Sequence, residues 1–196
     1  MRIGCLFGTF DPPHAGHVAI AEHMRTSQGL DQVWLVVTPQ NPFKQGNSIS
    51  ADMHRLAMVR LALRGHDGVL ASGFEIDLPK PNYTADSLRF MRHRWPHHHI
   101  DLIIGSDNLA AFHKWKDPED ILEHHKLLVY PRTGSREHLA NSVFIGHPQV
   151  RVVADAPLIP VSSTQIRADI AAWRSVEPWV APEVFSYIRQ FGLYKP

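Results

Sequence analysis

Gly8-Thr9-Phe10-Asp11-Pro12-Pro13-His14-Ala15-Gly16-His17 (GTFDPPHAGH, residues 8–17) is the stretch on which the fold turns. An apolar run, Ile3 to Phe7, precedes it as a strand, and a helical pattern starts near Gly16. A strand, a tight loop and a helix N-terminus make an anion site, because unpaired backbone N–H groups and the positive end of the helix dipole converge there. Gly8 allows close backbone approach and Thr9 adds a hydroxyl donor. Pro12 and Pro13 stiffen the loop. His14 and His17, three apart, lie on one side of the opening turn, with Gly16 keeping bulk away. Two imidazoles over an anion site suit phosphate; the competing account is a capped turn with two surface histidines.

Outward from this loop the chain alternates strands and helices. Val18, Ile20, Ala21 and Met24 form a helical stripe ending at Gln28-Gly29. Val33 to Val37 reads as a strand buried on both faces, ending at Thr38-Pro39, and a polar loop covers 40–48. Lys44 in that loop either reaches the anion site or is simply solvated. A helix follows over 51–63, with Met53, Leu56, Ala57, Val59, Leu61 and Leu63 apolar and Arg55 and Arg60 on its polar side. Val69 to Leu78 reads as extended, and Thr84 as the N-cap of a helix with Asp86 in its first turn. His97, His98 and His99 form a surface turn rather than a metal site, since zinc sites use spaced ligands.

Ile100 to Ile104 is a further strand, ending in Gly105-Ser106-Asp107. Asp107 either accepts from ribose hydroxyls or caps the helix over 109–113. Asp117-Pro118-Glu119 starts a short helix, and Leu127 to Tyr130 and Val150 to Val153 are strands, with 135–148 an excursion over the surface between them. Ser162-Ser163-Thr164 opens a helix with Ile166, Ile170 and Trp173 apolar and Arg167 one turn in, a second anion nest. A last helix covers 182–191. This order predicts an α/β fold, a Rossmann-like, doubly wound parallel sheet with helices on both faces, as one domain over 1–196.

Composition agrees with a soluble globular protein, without bias toward disorder: 44% hydrophobic and 20% charged residues. Twenty basic against nineteen acidic residues give a formal charge of +1, with no bulk attraction to nucleic acid. Cys5 is the one cysteine, which excludes an internal disulfide and fits a reducing cytoplasm, and no span of apolar residues suits a membrane. Homo-oligomer formation stays open.

The stretch FDPPHAGH resembles the signature loop of the nucleotidylyltransferase superfamily, and in particular of the nicotinate (or nicotinamide) mononucleotide adenylyltransferases. Val161-Ser162-Ser163-Thr164-Gln165-Ile166-Arg167 resembles the family's phosphate-binding stretch, and Asp107 to Trp115 its G-x-D…W spacing. Phe7, Phe43 (where the family has histidine) and Thr133 (where it has proline in Arg-Pro-Gly) depart from the pattern. The resemblance implies catalytic roles for His14, His17, Lys44 and Arg167. It implies ATP contacts from Gly8, Thr9, Phe10, His14, His17, Gly105, Asp107, Ser162, Ser163, Thr164 and Arg167. Asn41, Lys44, Tyr83, Thr84, Trp115 and Arg132 are its mononucleotide-binding positions, with the Trp115 indole stacked on the pyridine ring. The implied substrates are ATP and nicotinate mononucleotide, with Mg²⁺ carried mainly by phosphate oxygens and no protein metal site. Phosphopantetheine adenylyltransferase, the cytidylyltransferases, a histidine-based metal binder and a non-catalytic nucleotide sensor are the alternatives.

Overall fold

The structure is a computed structural model that describes residues 1–39 and 50–195. Six parallel strands form one sheet in the order β3-β2-β1-β4-β5-β6. They are β1 (Arg2–Gly8), β2 (Gln32–Val37), β3 (Val69–Ser72), β4 (His99–Gly105), β5 (Leu127–Tyr130) and β6 (Val150–Val152). Strand order reverses between β1 and β4, so loops after these two strands diverge and leave a crevice at their carboxyl ends. The GTFDPPHAGH loop is the one that leaves β1 there.

Alternation along the strands divides the core. Leu6 and Ile103 face a cluster with Ile20, Ala21 and Met24 of α1 (Ala15–Ser27) and Leu56 and Val59 of α2 (Asp52–Ala62). Ile3, Cys5, Leu102 and Ile104 face the opposite cluster, with Ala85, Leu88 and Met91 of α3 (Thr84–Arg94). That second cluster also takes Leu109 of α4 (Ser106–Ala111) and Ile121 of α5 (Pro118–His124). A third cluster joins Met58 of α2 to Ile166 of α7 (Ser163–Ala171) and Val184 and Ile188 of α8 (Pro182–Phe191). Cys5 is wholly buried beside Met91, and burial raises its thiol pKa, so it is a packing residue. No described helix is long and apolar enough to cross a membrane.

Several sequence expectations are corrected. The extended reading of 69–78 holds only to Ser72; after Gly73 the chain turns into a 3-10 helix, Phe74–Asp77, which buries Glu75. Tyr83, not Thr84, is the N-cap of α3: its backbone is extended and its carbonyl accepts the Ser87 N–H at 3.1 Å. Asp107 is likewise inside α4, whose N-cap is Gly105. Trp173 does not belong to the α7 stripe, because the helix ends at Ala171 and the indole is 80% exposed. Met53 is also exposed on α2, whereas Arg55, read as a polar-face residue, is 0% exposed. Residues 135–148 are more than an excursion. They hold α6 (Ser135–Ala140), and beyond it the Ser142 hydroxyl donates to Leu109 O at 3.2 Å while Phe144 meets the Phe112 ring edge-on.

Candidate active site

His14 is the N-cap of α1 and 8% exposed. Its ring stacks on His17, centroids 3.7 Å apart and planes at 25°, and the Phe10 ring meets His17 edge-on at 4.9 Å. The His14 backbone N–H donates to His17 Nδ1 at 3.2 Å, so the His17 ring proton sits on Nε2. Burial, then the Arg132 charge, pushes His14 down to about 4, so it is neutral at pH 7. Gly16 leaves room for this stack: a Cβ there would lie 3.1 Å from the His14 imidazole and 3.3 Å from Val161, tight enough to push one of them aside. At Gly8 a Cβ would come within 2.9 Å of Phe10, whose ring is folded back under the loop with φ of 49°.

α7 closes the loop from the other side. Ser162 caps the helix by accepting the Gln165 N–H at 3.1 Å. Ser163 Oγ donates to Pro12 O at 2.8 Å, and Arg167 Nη1 to Asp11 O at 2.7 Å. Two residues some 150 positions away thus hold the backbone of the signature loop. Between these elements lies a cleft of about 370 Å³. It is lined by Gly8, Thr9, Phe10, His14, His17, Arg132, Ser162, Ser163, Thr164 and Arg167. Imidazoles, hydroxyls and two guanidinium groups make it an anion receptor. His14, His17, Arg132 and Ser162 also line a second cleft of about 440 Å³, walled by 157–161.

A smaller pocket of about 80 Å³ holds Tyr83, Thr84 and Trp115 at the start of α3 and the end of α4's continuation. Leu6, Phe7, Asn108 and Tyr130 line both this pocket and the anion cleft, so the two are neighbours across the β1–β4 crevice. Arg132, expected with the mononucleotide group, lines the clefts and not this pocket. Gly105 and Asp107 line none of the three; a carboxylate oxygen of Asp107 sits against Gly105, and Arg132 Nε is 3.8 Å from the other. Asn41 and Lys44 lie outside the described residues.

Four contributors escaped sequence reading. Lys116 lines the small pocket, its ammonium 5.1 Å over the Tyr83 ring and paired with Asp86 at 2.8 Å. Glu75 stands behind that pocket, 1% exposed, and accepts from the Ser87 hydroxyl. Burial pushes its carboxyl up to about 7 against the opposing hydrogen bonds from Ser87 and Thr38. Asp11, also buried, accepts from Tyr194 Oη at 2.5 Å and the Ser50 N–H at 3.2 Å. Arg55 is the fourth. Only Asp11 carried a signal, its position inside the signature loop; Glu75 and Arg55 depend on burial and the exposed Lys116 on its pairing with Asp86, which no local pattern announced.

A model of the cytidylyltransferase-like family matches residues 5–169. A probable nicotinate-nucleotide adenylyltransferase of Flavobacterium johnsoniae is 41% identical over 195 residues, covering 100% of each chain. One from Cytophaga hutchinsonii is 44% identical over 184 residues, covering 94% of this chain and 93% of its own. In fold the chain is similar to Plasmodium falciparum nicotinic acid mononucleotide adenylyltransferase, solved with NaAD. The TM-score is 0.79 at 16% identity, over 98% of this chain and 97% of that one. With the loop, the cleft and the full-length relatives in agreement, this chain belongs to the nicotinate-nucleotide adenylyltransferases of the cytidylyltransferase-like family.

Proposed function

We propose that the protein transfers the adenylyl group of ATP to the phosphate of nicotinate mononucleotide in NAD biosynthesis. A phosphate oxygen of the mononucleotide bonds to the α-phosphorus, the bond to the β-phosphate oxygen breaks, and pyrophosphate leaves with that electron pair. Nicotinate adenine dinucleotide is the product. The observation that carries this reading is the shared wall of Leu6, Phe7, Asn108 and Tyr130, which sets an aromatic-lined pocket directly against an anion cleft. Names of relatives covering 94% to 100% of the chain support it.

The nucleophile needs no general base, since a phosphate monoester with a second pKa near ~6 is largely dianionic at pH 7. The difficulty is anion repulsion and charge building on the leaving group, which positioned donors relieve. His17 Nε2–H, the Thr164 hydroxyl and Arg167 are suited to it, while Ser163, whose hydroxyl proton is given to Pro12 O, holds the loop. Mg²⁺ enters as part of the nucleotide substrate. The one metal-spaced trio among the described residues, Asp120, Glu123 and His124, is on α5, where Asp120 is held by Arg89 and Arg92. The balanced charge supports small substrates rather than nucleic acid, and the lone buried Cys5 supports a cytoplasmic setting.

The acid is preferred over the amide. The start of α3 at Thr84 and Ala85 lines the pocket, and a helix N-terminus presents N–H donors that a carboxylate can accept twice. A carboxamide turns its own NH₂ toward one of them, and an unpaired buried group costs ~1–3 kcal/mol, or one to two decades in kcat/KM. Pyrophosphate release is measured with ATP and each mononucleotide in turn. No release with either overturns the activity; release with an acid-to-amide ratio at or below one overturns the preference alone.

A further inference from the structure

Arg55 occupies the first turn of α2 and is among the largest wholly buried side chains of the described residues. A guanidinium has five N–H donors and no acceptor, and burying it unpaired is costly. Here five acceptors surround it. Nε donates to Ser50 O at 3.0 Å. Nη1 donates to Thr9 O at 2.7 Å and to Thr38 O at 2.9 Å. Nη2 donates to Pro39 O at 3.5 Å and to Asp52 Oδ1 at 2.5 Å. Four of the five are backbone carbonyls, so the group reads the course of the chain and not the identity of its neighbours.

Those carbonyls belong to both halves of the site. Thr9 lines the anion cleft, and Thr38 lines the small pocket. A single nitrogen, Nη1, bonds both. Ser50 closes a second path, because its N–H donates to the Asp11 carboxylate while its carbonyl accepts from Arg55. The signature loop is therefore fastened to the chain end of β2 through one rigid, planar fork. Asp52, itself paired with Lys80 at 3.3 Å, fixes the rotation of that fork.

Building on the proposed transfer reaction, we infer that Arg55 is a positioning residue that sets the spacing between the mononucleotide pocket and the ATP phosphate cleft. Reaction between two bound anions depends on the approach of one oxygen to one phosphorus, and a displacement of about 1 Å can cost on the order of 10²-fold in rate. Binding of each substrate by itself depends on one compartment only. A residue that spaces the two compartments acts on turnover, and leaves the separate affinities in place. Lysine cannot replace it: an ammonium offers three donors from a point, against a fork that holds four carbonyls apart.

The test compares Arg55→Lys and Asp52→Asn with the parent enzyme. Steady-state kcat is measured per folded molecule, with equilibrium binding of nicotinate mononucleotide alone and of a non-hydrolysable ATP analogue alone. Arg55→Lys is expected to lose ~30- to 100-fold in kcat while each Kd stays within ~3-fold. Asp52→Asn, which keeps the arginine but loosens its rotation, is expected to lose ~3- to 10-fold in kcat. An unchanged kcat in folded Arg55→Lys overturns the assignment, as does loss of either separate affinity in proportion to rate. Should Arg55→Lys not fold, Asp52→Asn decides, and a kcat within 2-fold of the parent overturns it. A parent without turnover on these substrates would instead refute the reaction itself.

Discussion

His14 and Glu75 have opposite charge types, and burial drives both toward their neutral forms, His14 down to about 4 and Glu75 up to about 7. For Glu75 the folded chain holds a proton between pH ~4.5 and ~7 that the unfolded chain has released, so its contribution to stability falls as pH rises through that window. Above it the ionised, buried carboxylate destabilises the fold by roughly 3 kcal/mol at most. Glu75→Gln keeps an acceptor for Ser87, and should raise Tm by several degrees at pH 8 and by little at pH 5. His14 also gains a proton more readily when unfolded, which costs stability below pH ~6.5, but it does so equally in parent and variant and cancels. Equal Tm gains at the two pH values would sink the argument. The role proposed for His17 lies in the chemistry instead. With Nε2–H as its donor, His17→Ala should lower kcat on the order of 10²-fold and change ATP binding far less. A folded variant with full turnover would remove it from the site. The pair His14/His17 was legible from its spacing at a helix start, although His14 stands just outside α1 as its N-cap; the stack and the lowered His14 pKa were not, because burial is a tertiary property.

Elements with a hydrophobic period were legible, and their ends were not. β1, β2, β4 and β5 matched their apolar runs within a residue or two, as buried parallel strands do. The run from Val69 failed after four residues because Gly73 lets the chain turn and Glu75 then finds Ser87 on α3, a partner twelve positions away. Arg55 reads as a solvent-face residue of α2 because a period of 3.6 separates apolar from polar positions, and cannot register four backbone carbonyls drawn from three other segments. At α7 the Ser-Ser-Thr start announced a cap correctly, yet two of its residues hold the carbonyls of Asp11 and Pro12. Arg167 therefore has a planar fork with one nitrogen on the loop and the rest of the group along the cleft. Arg167→Lys should keep a bond to Asp11 O and lose the bidentate reach toward phosphate, lowering kcat/KM for ATP by ~10-fold or more with a small change in Tm. Identical kcat/KM in the two proteins would make Arg167 a loop staple only.

The whole molecule is closed by contacts between its ends. β1 supplies the centre of the sheet, while α8 packs on α2 and α7 in a cluster separate from both sheet faces. Beyond α8, Gly192 and Tyr194 adopt left-handed backbone, and this carries the Tyr194 hydroxyl back 183 positions to Asp11. Burial, with the Asp11 carboxylate beside it, raises the Tyr194 pKa, so the phenol stays a donor throughout the working range. Sequence could not show this tie, because its two residues share no element and no period. Tyr194→Phe leaves the ring in place and deprives a buried carboxylate oxygen of its phenolic donor, which costs ~1–3 kcal/mol. In a domain of this size that corresponds to a fall in Tm of roughly 2–12 °C. Turnover should respond differently. Ser50 still holds the second Asp11 oxygen, Ser163 and Arg167 still hold the Pro12 and Asp11 carbonyls, and Arg55 still holds Thr9. Four fastenings leave the histidine stack in register, so kcat at 25 °C should stay within ~3-fold of the parent while thermal inactivation comes earlier. Thermal denaturation and initial rates on the same preparation separate the two. An unchanged Tm would show that the terminal tie adds no net stability, and a large loss of kcat at unchanged Tm would move Tyr194 from the frame of the molecule into its active site.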